Sequence, residues 1–288
     1  MSLKKEINFT GMSKPAFTAS ALLIIFAAAS LMKGINWGID FTGGTVAQIK
    51  FEKPADISKL RKTFSEYKPV IQEVPGARIF ILKFSQSDEM KNLSADISAK
   101  FKKEYPKNKV VIERFEMVGP VVGKFLKKAA ASAFGGALLG IILYVALRFK
   151  GSIWGFAAVG AIIHDVLITF GILAALGTTV DLIVVTSLLF IAGYSVNDTI
   201  VIYDRIRENL RKAQRQKTSA IFNSSIKQTL SRTLITSLTT TAVVICLLVF
   251  GGEIIHSFAL SLFIGIIVGT YSSIFIASPL VYFKLSKK

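Results

Sequence analysis

The chain has 288 residues, of which 52% are hydrophobic and 18% charged, and its formal net charge at pH 7 is +17. This composition is typical of membrane proteins and disfavours both an ordinary soluble domain and a disordered chain. The single cysteine, Cys246, excludes an intrachain disulfide and a zinc site built from cysteines.

Six apolar runs are long enough to cross a bilayer, since a hydrocarbon core of about 30 Å needs roughly 20 helical residues. They lie near residues 15–32, 129–147, 153–176, 182–203, 233–250 and 257–283. The sequence therefore predicts a polytopic α-helical membrane protein with six transmembrane helices, the last five in residues 129–288.

The first apolar run also has features of a secretory signal peptide. Lys4, Lys5 and Lys14 precede it, and three alanines at 27–29 imitate a cleavage site. Cleavage remains an alternative. We interpret residues 1–32 as a cytoplasmic N-terminus followed by the first transmembrane helix.

A glycine-rich segment, Gly38-Ile39-Asp40-Phe41-Thr42-Gly43-Gly44-Thr45, follows the first run. It lacks the Lys-Ser/Thr pair of a P-loop and no helix is predicted after it, which disfavours a phosphate site. The glycines predict a tight turn where the chain leaves the first membrane helix.

Residues 33–128 form the only stretch long enough for a soluble domain with its own modest core. The predicted elements are strand Thr45–Phe51, helix Asp56–Tyr67, strand Val70–Val74, a Pro75-Gly76 turn, strand Arg78–Phe84, helix Glu89–Tyr105 and strand Lys109–Phe115. The order β-α-β-β-α-β is the ferredoxin-like arrangement. We therefore predict an exported α+β ferredoxin-like domain between helices 1 and 2, suited to docking rather than to chemistry.

The distribution of basic residues predicts cytoplasmic N- and C-termini. Arg148, Lys150 and a basic cytoplasmic loop at 204–232 alternate with the loops 177–181 and 251–256, which contain no Lys or Arg. Most other basic residues lie in 33–128, which is long enough to be exported regardless of charge. The positive charge thus indicates orientation and contact with membrane lipids, and no nucleic-acid motif accompanies it.

The third run carries two ionisable residues near its middle, His164 and Asp165. They are candidates for a proton relay, but a static hydrogen-bonded contact between helices is an equal alternative. Two adjacent residues without a third ligand do not predict a metal site.

The fourth run carries Asp198 within the stretch GYSVNDTIVIYDR. On the insertion scale an Asp costs about 2.5–3.5 kcal/mol, and each Leu, Ile, Val or Phe returns about 0.3–0.6 kcal/mol. Twelve such apolar residues lie between Leu182 and Tyr203, so the helix still inserts. Because intramembrane ionisable residues usually mark transport pathways, Asp198 is the first candidate site residue.

The proposed relay combines Asp198 with a base on the fifth helix. Helical spacing places Tyr194 on the face of Asp198 and Asn197 at its edge. The relay hypothesis is that Asp198 takes up a proton when isolated in the bundle and releases it when Arg232 approaches. Thr236 and Thr240 follow Arg232 at i+4 and i+8 and would form a hydroxyl-lined lane.

Each of these residues also has a structural interpretation. Arg232 lies near the cytoplasmic end of its helix and could extend to lipid headgroups. Thr236 and Thr240 could bond only to their own preceding carbonyls. Asp204 and Arg205 are typical of a solvated helix end.

Five motifs together resemble the SecD/SecF family of the resistance-nodulation-division superfamily. They are GIDFTGGT at 38–45, VGPVVG at 118–123, the His164-Asp165 pair, GYSVNDTIVIYDRIREN at 193–209 and QTLSRTLITSLTTT at 228–241. The resemblance covers nearly the whole chain. It implies that the essential intramembrane acid and arginine of the family fall on Asp198 and Arg232. Other residues in the matching motifs are Gly38, Asp40, Phe41, Thr42, Gly43, Gly44, Tyr194, Asp204 and Arg205.

The resemblance implies an accessory subunit of protein export in the bacterial cytoplasmic (inner) membrane, driven by the proton-motive force. The implied partners are SecD as a separate chain, the SecYEG channel, YajC and the unfolded exported polypeptide. No catalytic residue, cofactor or metal is implied. Two alternatives remain: half of a small-molecule or lipid exporter of the same superfamily, and a passive scaffold of the translocon.

Overall fold

The computed structural model describes residues 7–74, 76–84, 93–212 and 216–286. It divides into two compact units, one comprising Met1–Asn36 with Ala131–Lys288 and the other Trp37–Ala130. Lys4, Lys5, Pro75 and Glu89, on which parts of the predictions depend, lie outside the described residues.

The order of elements follows the predicted order closely. The elements are α1 (Ser13–Met32), α2 (Ile39–Thr42), β1 (Gly44–Phe51), α3 (Ile57–Thr63), a 3-10 turn (Ser65–Tyr67), β2 (Val70–Val74), β3 (Ile79–Phe84), α4 (Leu93–Glu104), β4 (Val110–Val118), α5 (Pro120–Phe149), α6 (Ser152–Ala175), α7 (Leu182–Lys212), α8 (Thr218–Phe250), α9 (Gly252–Ser272), a π-helix (Ser273–Ala277) and α10 (Ser278–Leu285).

Six helical segments of the described chain are long and apolar enough to cross a membrane, the number predicted. They are α1, α5, α6, α7, α8 and the continuous stretch Ile255–Leu285, which joins α9, the π-helix and α10. Length and composition are the basis of this assignment.

Three of these helices extend beyond their apolar runs. Helix α5 begins at Pro120 rather than at 129, and its first residue suits proline because the N–H there needs no intrahelical acceptor. The segment 204–232, predicted as a basic loop, is helical as far as Lys212 and again from Thr218. Hydropathy marks only the part of a helix that lies in hydrocarbon, so the polar ends were missed.

In the unit that comprises Met1–Asn36 and Ala131–Lys288, called the membrane unit below, close helix packing depends on small residues of α6. A Cβ on Gly155 would lie 2.7 Å from the carbonyl oxygen of Ile142 in α5, and a Cβ on Gly171 would overlap Ala27 of α1. Small residues let membrane helices approach closely and gain van der Waals contact. Helix α6 thereby packs against α1 as well as against α7 and α9.

The smaller unit contains a four-stranded antiparallel sheet with the strand order β2-β3-β1-β4. Helices α3 and α4 cover one face of it through buried apolar residues. Phe51 lies at the centre, with ring centroids of Phe80, Phe101 and Tyr105 at 5.5, 5.7 and 5.2 Å. The helix predicted over Asp56–Tyr67 ends earlier, at Thr63, and a 3-10 turn follows it.

The glycine-rich segment differs from the predicted simple turn, because Ile39–Thr42 form one helical turn. Backbone hydrogen bonds close the turn, from the Thr42 N–H to the Gly38 carbonyl at 3.2 Å and from the Gly43 N–H to the Ile39 carbonyl at 2.8 Å. Gly44 then adopts a φ of +126°, and a Cβ there would lie 2.5 Å from the carbonyl oxygen of Phe84. The glycine is required at this point because β1 must pass directly beside β3.

Candidate functional site

Asp198 lies on the buried face of α7 and is 4% exposed. Its Oδ2 lies 3.4 Å from the Oγ of Ser237 on α8. The same Oγ lies 2.7 Å from the Oγ1 of Thr270 on α9, and that hydroxyl also reaches the Ile266 carbonyl at 2.8 Å. The carboxyl group therefore contacts a short row of hydroxyls that connects three helices.

Arg232 is exposed on α8 and makes none of the ion pairs formed within the described chain. Among the described residues no ion pair joins Arg232 to Asp198. The next residue, Thr233, is buried, and its Oγ1 has no hydrogen-bond partner among the described residues. Thr233 lies one turn from Ser237 on α8.

The threonines of the predicted lane bond within their own helix. Thr236 donates to the Arg232 carbonyl at 3.1 Å, and Thr240 donates to the Thr236 carbonyl at 2.9 Å. Tyr194 joins them, with its hydroxyl 3.3 Å from the Oγ1 of Thr240. The hydroxyl that meets Asp198 is instead that of Ser237, and Asn197 points outward and is exposed.

His164 and Asp165 form a second buried polar cluster, 5% and 0% exposed. His164 Nδ1 lies 2.9 Å from Asp165 Oδ1, and His164 Nε2 lies 3.0 Å from the Oγ of Ser20 on α1. Asp165 Oδ2 accepts hydrogen bonds from Ser195 on α7 at 2.6 Å and from Ser272 on α9 at 2.8 Å. The pair thus joins four helices.

One segment of the last membrane span supports both acids. Thr270 contacts the hydroxyl partner of Asp198, and Ser272 donates to Asp165. The π-helix begins at the next residue, Ser273, whose Oγ lies 2.9 Å from the Oγ1 of Thr199 on α7. The extra residue of a π-turn changes which side chains face inward, and such turns often occur at functional sites. Gly269 permits the approach, because a Cβ there would lie 3.1 Å from Ser195 Cβ.

The remaining motif residues lie outside these clusters. Asp204 pairs with Arg148 at 3.2 Å, and Arg205 pairs with Glu208 at 2.6 Å, so both belong to a partly exposed helix end. In the smaller unit, Phe41 packs edge-on against Trp37 at 5.6 Å. A Cβ on Gly123 would lie 3.3 Å from the Asp40 carbonyl oxygen and from the Gly43 nitrogen, so two of the motifs pack on each other.

Sequence reasoning missed the serine and threonine partners of the two acids. Ser237 contacts Asp198, and Ser195 and Ser272 contact Asp165. Two further hydroxyls extend these contacts, because Thr270 contacts Ser237 and Ser20 contacts His164. A signal was present, since Thr270, Ser272 and Ser273 place three hydroxyls within four residues of a largely apolar span. Their relation to the acids depends on contacts between distant helices, which no local pattern reports.

Replacing Gly171 with valine should loosen the contact that holds α1 to α6. The added side chain would overlap Ala27, and overpacking of this kind costs about 1–3 kcal/mol. We expect a lower thermal unfolding temperature of the purified protein in detergent. Gly160→Val is the matched control on the same helix, because its Cβ would have only Leu280 Cδ1, at 3.8 Å, nearby. Equal unfolding temperatures for the two variants would contradict this packing.

Two family models match the chain. One, described as "Protein export membrane protein SecD/SecF, C-terminal", matches residues 97–287. The other, described as "SecD/SecF GG Motif", matches residues 28–55 and therefore includes the glycine-rich segment.

Proteins named protein translocase subunit SecF are similar over almost the whole chain. One from Calditerrivibrio nitroreducens is 45% identical, across 96% of this chain and 93% of that protein. One from Escherichia coli O157:H7 is 40% identical, across 96% of this chain and 87% of that protein.

A crystal structure of SecDF, a translocon-associated membrane protein from Thermus thermophilus, has a TM-score of 0.89 with this chain at 38% identity. The match covers all of this chain but only 40% of that longer one. A SecDF structure in a super-membrane-facing form has a TM-score of 0.73 at 36% identity.

Proposed function

The chain belongs to the SecD/SecF family of protein-export membrane proteins, and we propose that it is the SecF-type accessory subunit of a Sec translocase. In this role it acts with SecD to couple the proton-motive force to late stages of translocation across the cytoplasmic membrane. Its membrane unit carries protons, and its smaller unit, Trp37–Ala130, contacts the exported polypeptide. No bond in that polypeptide is made or broken.

The observation that carries the proton-coupling proposal is the bonding around Asp198. When the carboxylate is ionised, Thr270 can donate to Ser237, and Ser237 donates to Asp198. When Asp198 is protonated, it can donate to Ser237, Ser237 donates to Thr270, and Thr270 donates to the Ile266 carbonyl. Both protonation states are therefore satisfied by rotating two hydroxyls, without moving the backbone.

Coupling to movement follows from the low polarity of the surroundings. Burying an ionised carboxylate inside the bundle costs free energy unless a cation is near. An ionised Asp198 therefore favours a position of α8 that brings Arg232 close to it, whereas a protonated Asp198 does not need Arg232 nearby. A proton that crosses a potential of 100 mV releases about 2.3 kcal/mol, which is enough to bias such a movement. Arg232 and the buried hydroxyl of Thr233 are the polar groups of α8 that precede Ser237 in the proposed proton path.

SecD is the proposed partner, because the similar proteins are named SecF and the similar structures are of SecDF. The related SecDF protein is one polypeptide, and this chain corresponds to 40% of it. A separate SecD chain would supply the remainder, including an acidic partner for the exposed Arg232 of α8. SecYEG and YajC follow as further partners through SecD.

The unit Trp37–Ala130 is proposed to be the exported ferredoxin-like domain, with both chain termini in the cytoplasm. Its strand order, β2-β3-β1-β4, suits that fold, and the loops rich in Lys and Arg set the orientation. The sheet provides a platform on which an unfolded polypeptide can be held outside the membrane.

The proposal is tested in proteoliposomes that contain the chain with SecD and SecYEG, by following export of a secreted precursor with and without a proton gradient. We expect the gradient to accelerate the late phase of export only when the chain is present. Equal export with and without the gradient would favour the passive scaffold. Lipid or small-molecule release in place of protein export would favour the exporter.

Removing the hydroxyl that contacts Asp198 should slow gradient-dependent export. A hydrogen bond contributes about 0.5–1.5 kcal/mol, so Ser237→Ala should reduce the gradient-dependent rate by about two- to tenfold. Thr239→Ala is the matched control on α8, because Thr239 is exposed and its hydroxyl donates only to carbonyls of its own helix. Equal rates for the two variants would remove Ser237 from the relay.

A further inference from the structure

A continuous row of hydrogen bonds runs from the backbone of α1 to the acid of α6. Tyr271 on α9 donates its hydroxyl hydrogen to the Ala16 carbonyl at 2.8 Å. The same hydroxyl oxygen lies 3.1 Å from Ser20 Oγ, which in turn lies 3.0 Å from His164 Nε2. His164 Nδ1 then faces Asp165 Oδ1 at 2.9 Å. Every contact in this row has hydrogen-bond length.

One arrangement of hydrogens makes every contact in this row a hydrogen bond. A tyrosine has one hydroxyl hydrogen, and a carbonyl oxygen can only accept, so the hydrogen of Tyr271 is committed to Ala16. Ser20 must therefore donate its own hydrogen to Tyr271, which leaves Ser20 Oγ to act as an acceptor towards His164. In this arrangement His164 Nε2 carries a hydrogen.

The other ring nitrogen then shares one proton with the acid. With a hydrogen on Nε2, a hydrogen bond between Nδ1 and Oδ1 requires one further hydrogen between them. If it is on Nδ1, the pair is an imidazolium and a carboxylate. If it is on Oδ1, the pair is a neutral imidazole and a carboxylic acid. In both cases His164 and Asp165 together have no net charge, which is the state of lowest cost in a membrane interior.

The surroundings hold this arrangement in place. The facing groups of α1 and α7 are the hydroxyls of Ser20 and Ser195, and α9 contributes Tyr271 and Ser272. The titratable groups on these facing stretches are Tyr271 and, one turn along α7 from Ser195, Asp198. No ion pair within the described chain joins His164 or Asp165 to any other residue.

We propose that His164 and Asp165 form a buried proton-storage site, distinct from Asp198, in which one proton is shared between Nδ1 and Oδ1. Its ligand is the proton itself. Transfer between the two atoms breaks one N–H or O–H bond, forms the other and leaves the total charge unchanged. Asp165 also differs from Asp198 in its neighbours, because its other oxygen accepts hydrogen bonds from the hydroxyls of Ser195 on α7 and Ser272 on α9.

The use of this stored proton during export rests on the proposed function, but its presence does not. The test therefore observes the proton directly, by solid-state nuclear magnetic resonance of the full chain in lipid bilayers with ¹⁵N-labelled histidine. The chain has two histidines, and the exposed His256 is replaced in a His256→Gln background that leaves one ring to observe.

In this background we expect a hydrogen on Nε2 and one hydrogen between Nδ1 and Asp165. Asp165→Asn should abolish the shared proton, leaving a neutral ring whose Nδ1 only accepts. Tyr271→Phe removes the hydroxyl to which Ser20 donates, so Ser20 can donate to Nε2 instead. A His164 ring without a hydrogen on Nε2 should therefore appear only in that variant.

A His164 ring without a hydrogen on Nε2 in the His256→Gln background, or no hydrogen between Nδ1 and Oδ1, would overturn the proposal. Because no export is measured, this result can fail while the proposed function stands, and the reverse also holds.

Discussion

Asp198→Asn is expected to abolish the acceleration of protein export by a proton gradient. The amide has almost the shape of the carboxyl group, but it cannot take up and release a proton. We expect the gradient-dependent rate to fall by at least about tenfold, a change that requires only about 1.4 kcal/mol. The measurement is export of a secreted precursor into proteoliposomes at matched protein content, with and without the gradient.

Glu208→Gln is the matched control for this result. It makes the same acid-to-amide change on α7, but Glu208 lies at the partly exposed helix end and pairs with Arg205 and Lys212. Surface ion pairs of this kind contribute about 0–1 kcal/mol, so the effect on export should be small. If the Asp198→Asn protein still responded fully to the gradient, the relay would be refuted and the chain would act as a scaffold.

Phe51→Ala should strongly destabilise the unit Trp37–Ala130. The ring is 1% exposed and contacts three other aromatic rings, so its removal leaves a cavity between the sheet and α4. A buried Phe→Ala substitution costs about 3–5 kcal/mol, a large part of the stability of a domain of this size. Hydrogen exchange of the full chain in lipid nanodiscs should show faster exchange in β1 and β3, with the membrane helices unchanged.

Val70→Ala provides the comparison for the core substitution. Val70 is 69% exposed on β2, an edge strand of the same sheet, so its truncation removes little buried surface. We expect the hydrogen-exchange rates of β1 and β3 in the Val70→Ala protein to match those of the unmodified chain. Equal protection in the Phe51→Ala and Val70→Ala proteins would show that the sheet does not depend on this aromatic cluster.

Local patterns were sufficient to predict most elements of both units. The six membrane helices follow from apolar length, and β2 was predicted with its observed ends, Val70 and Val74, because alternation and turn residues bound it. The predictions were less accurate where a helix continues into polar sequence, as α7 does beyond Tyr203, since hydropathy stops at the edge of the hydrocarbon.

The sequence by itself determined the membrane class, the order of the elements and the two buried acids, because apolar length and the cost of a charge in hydrocarbon are properties of single segments. Only the tertiary structure decided the partners of those acids. Asn197 is adjacent to Asp198 in sequence but points outward, whereas Ser237 and Thr270 come from other helices. Hydrogen bonds act over about 3 Å, so which hydroxyls reach a carboxyl group depends on how the helices pack.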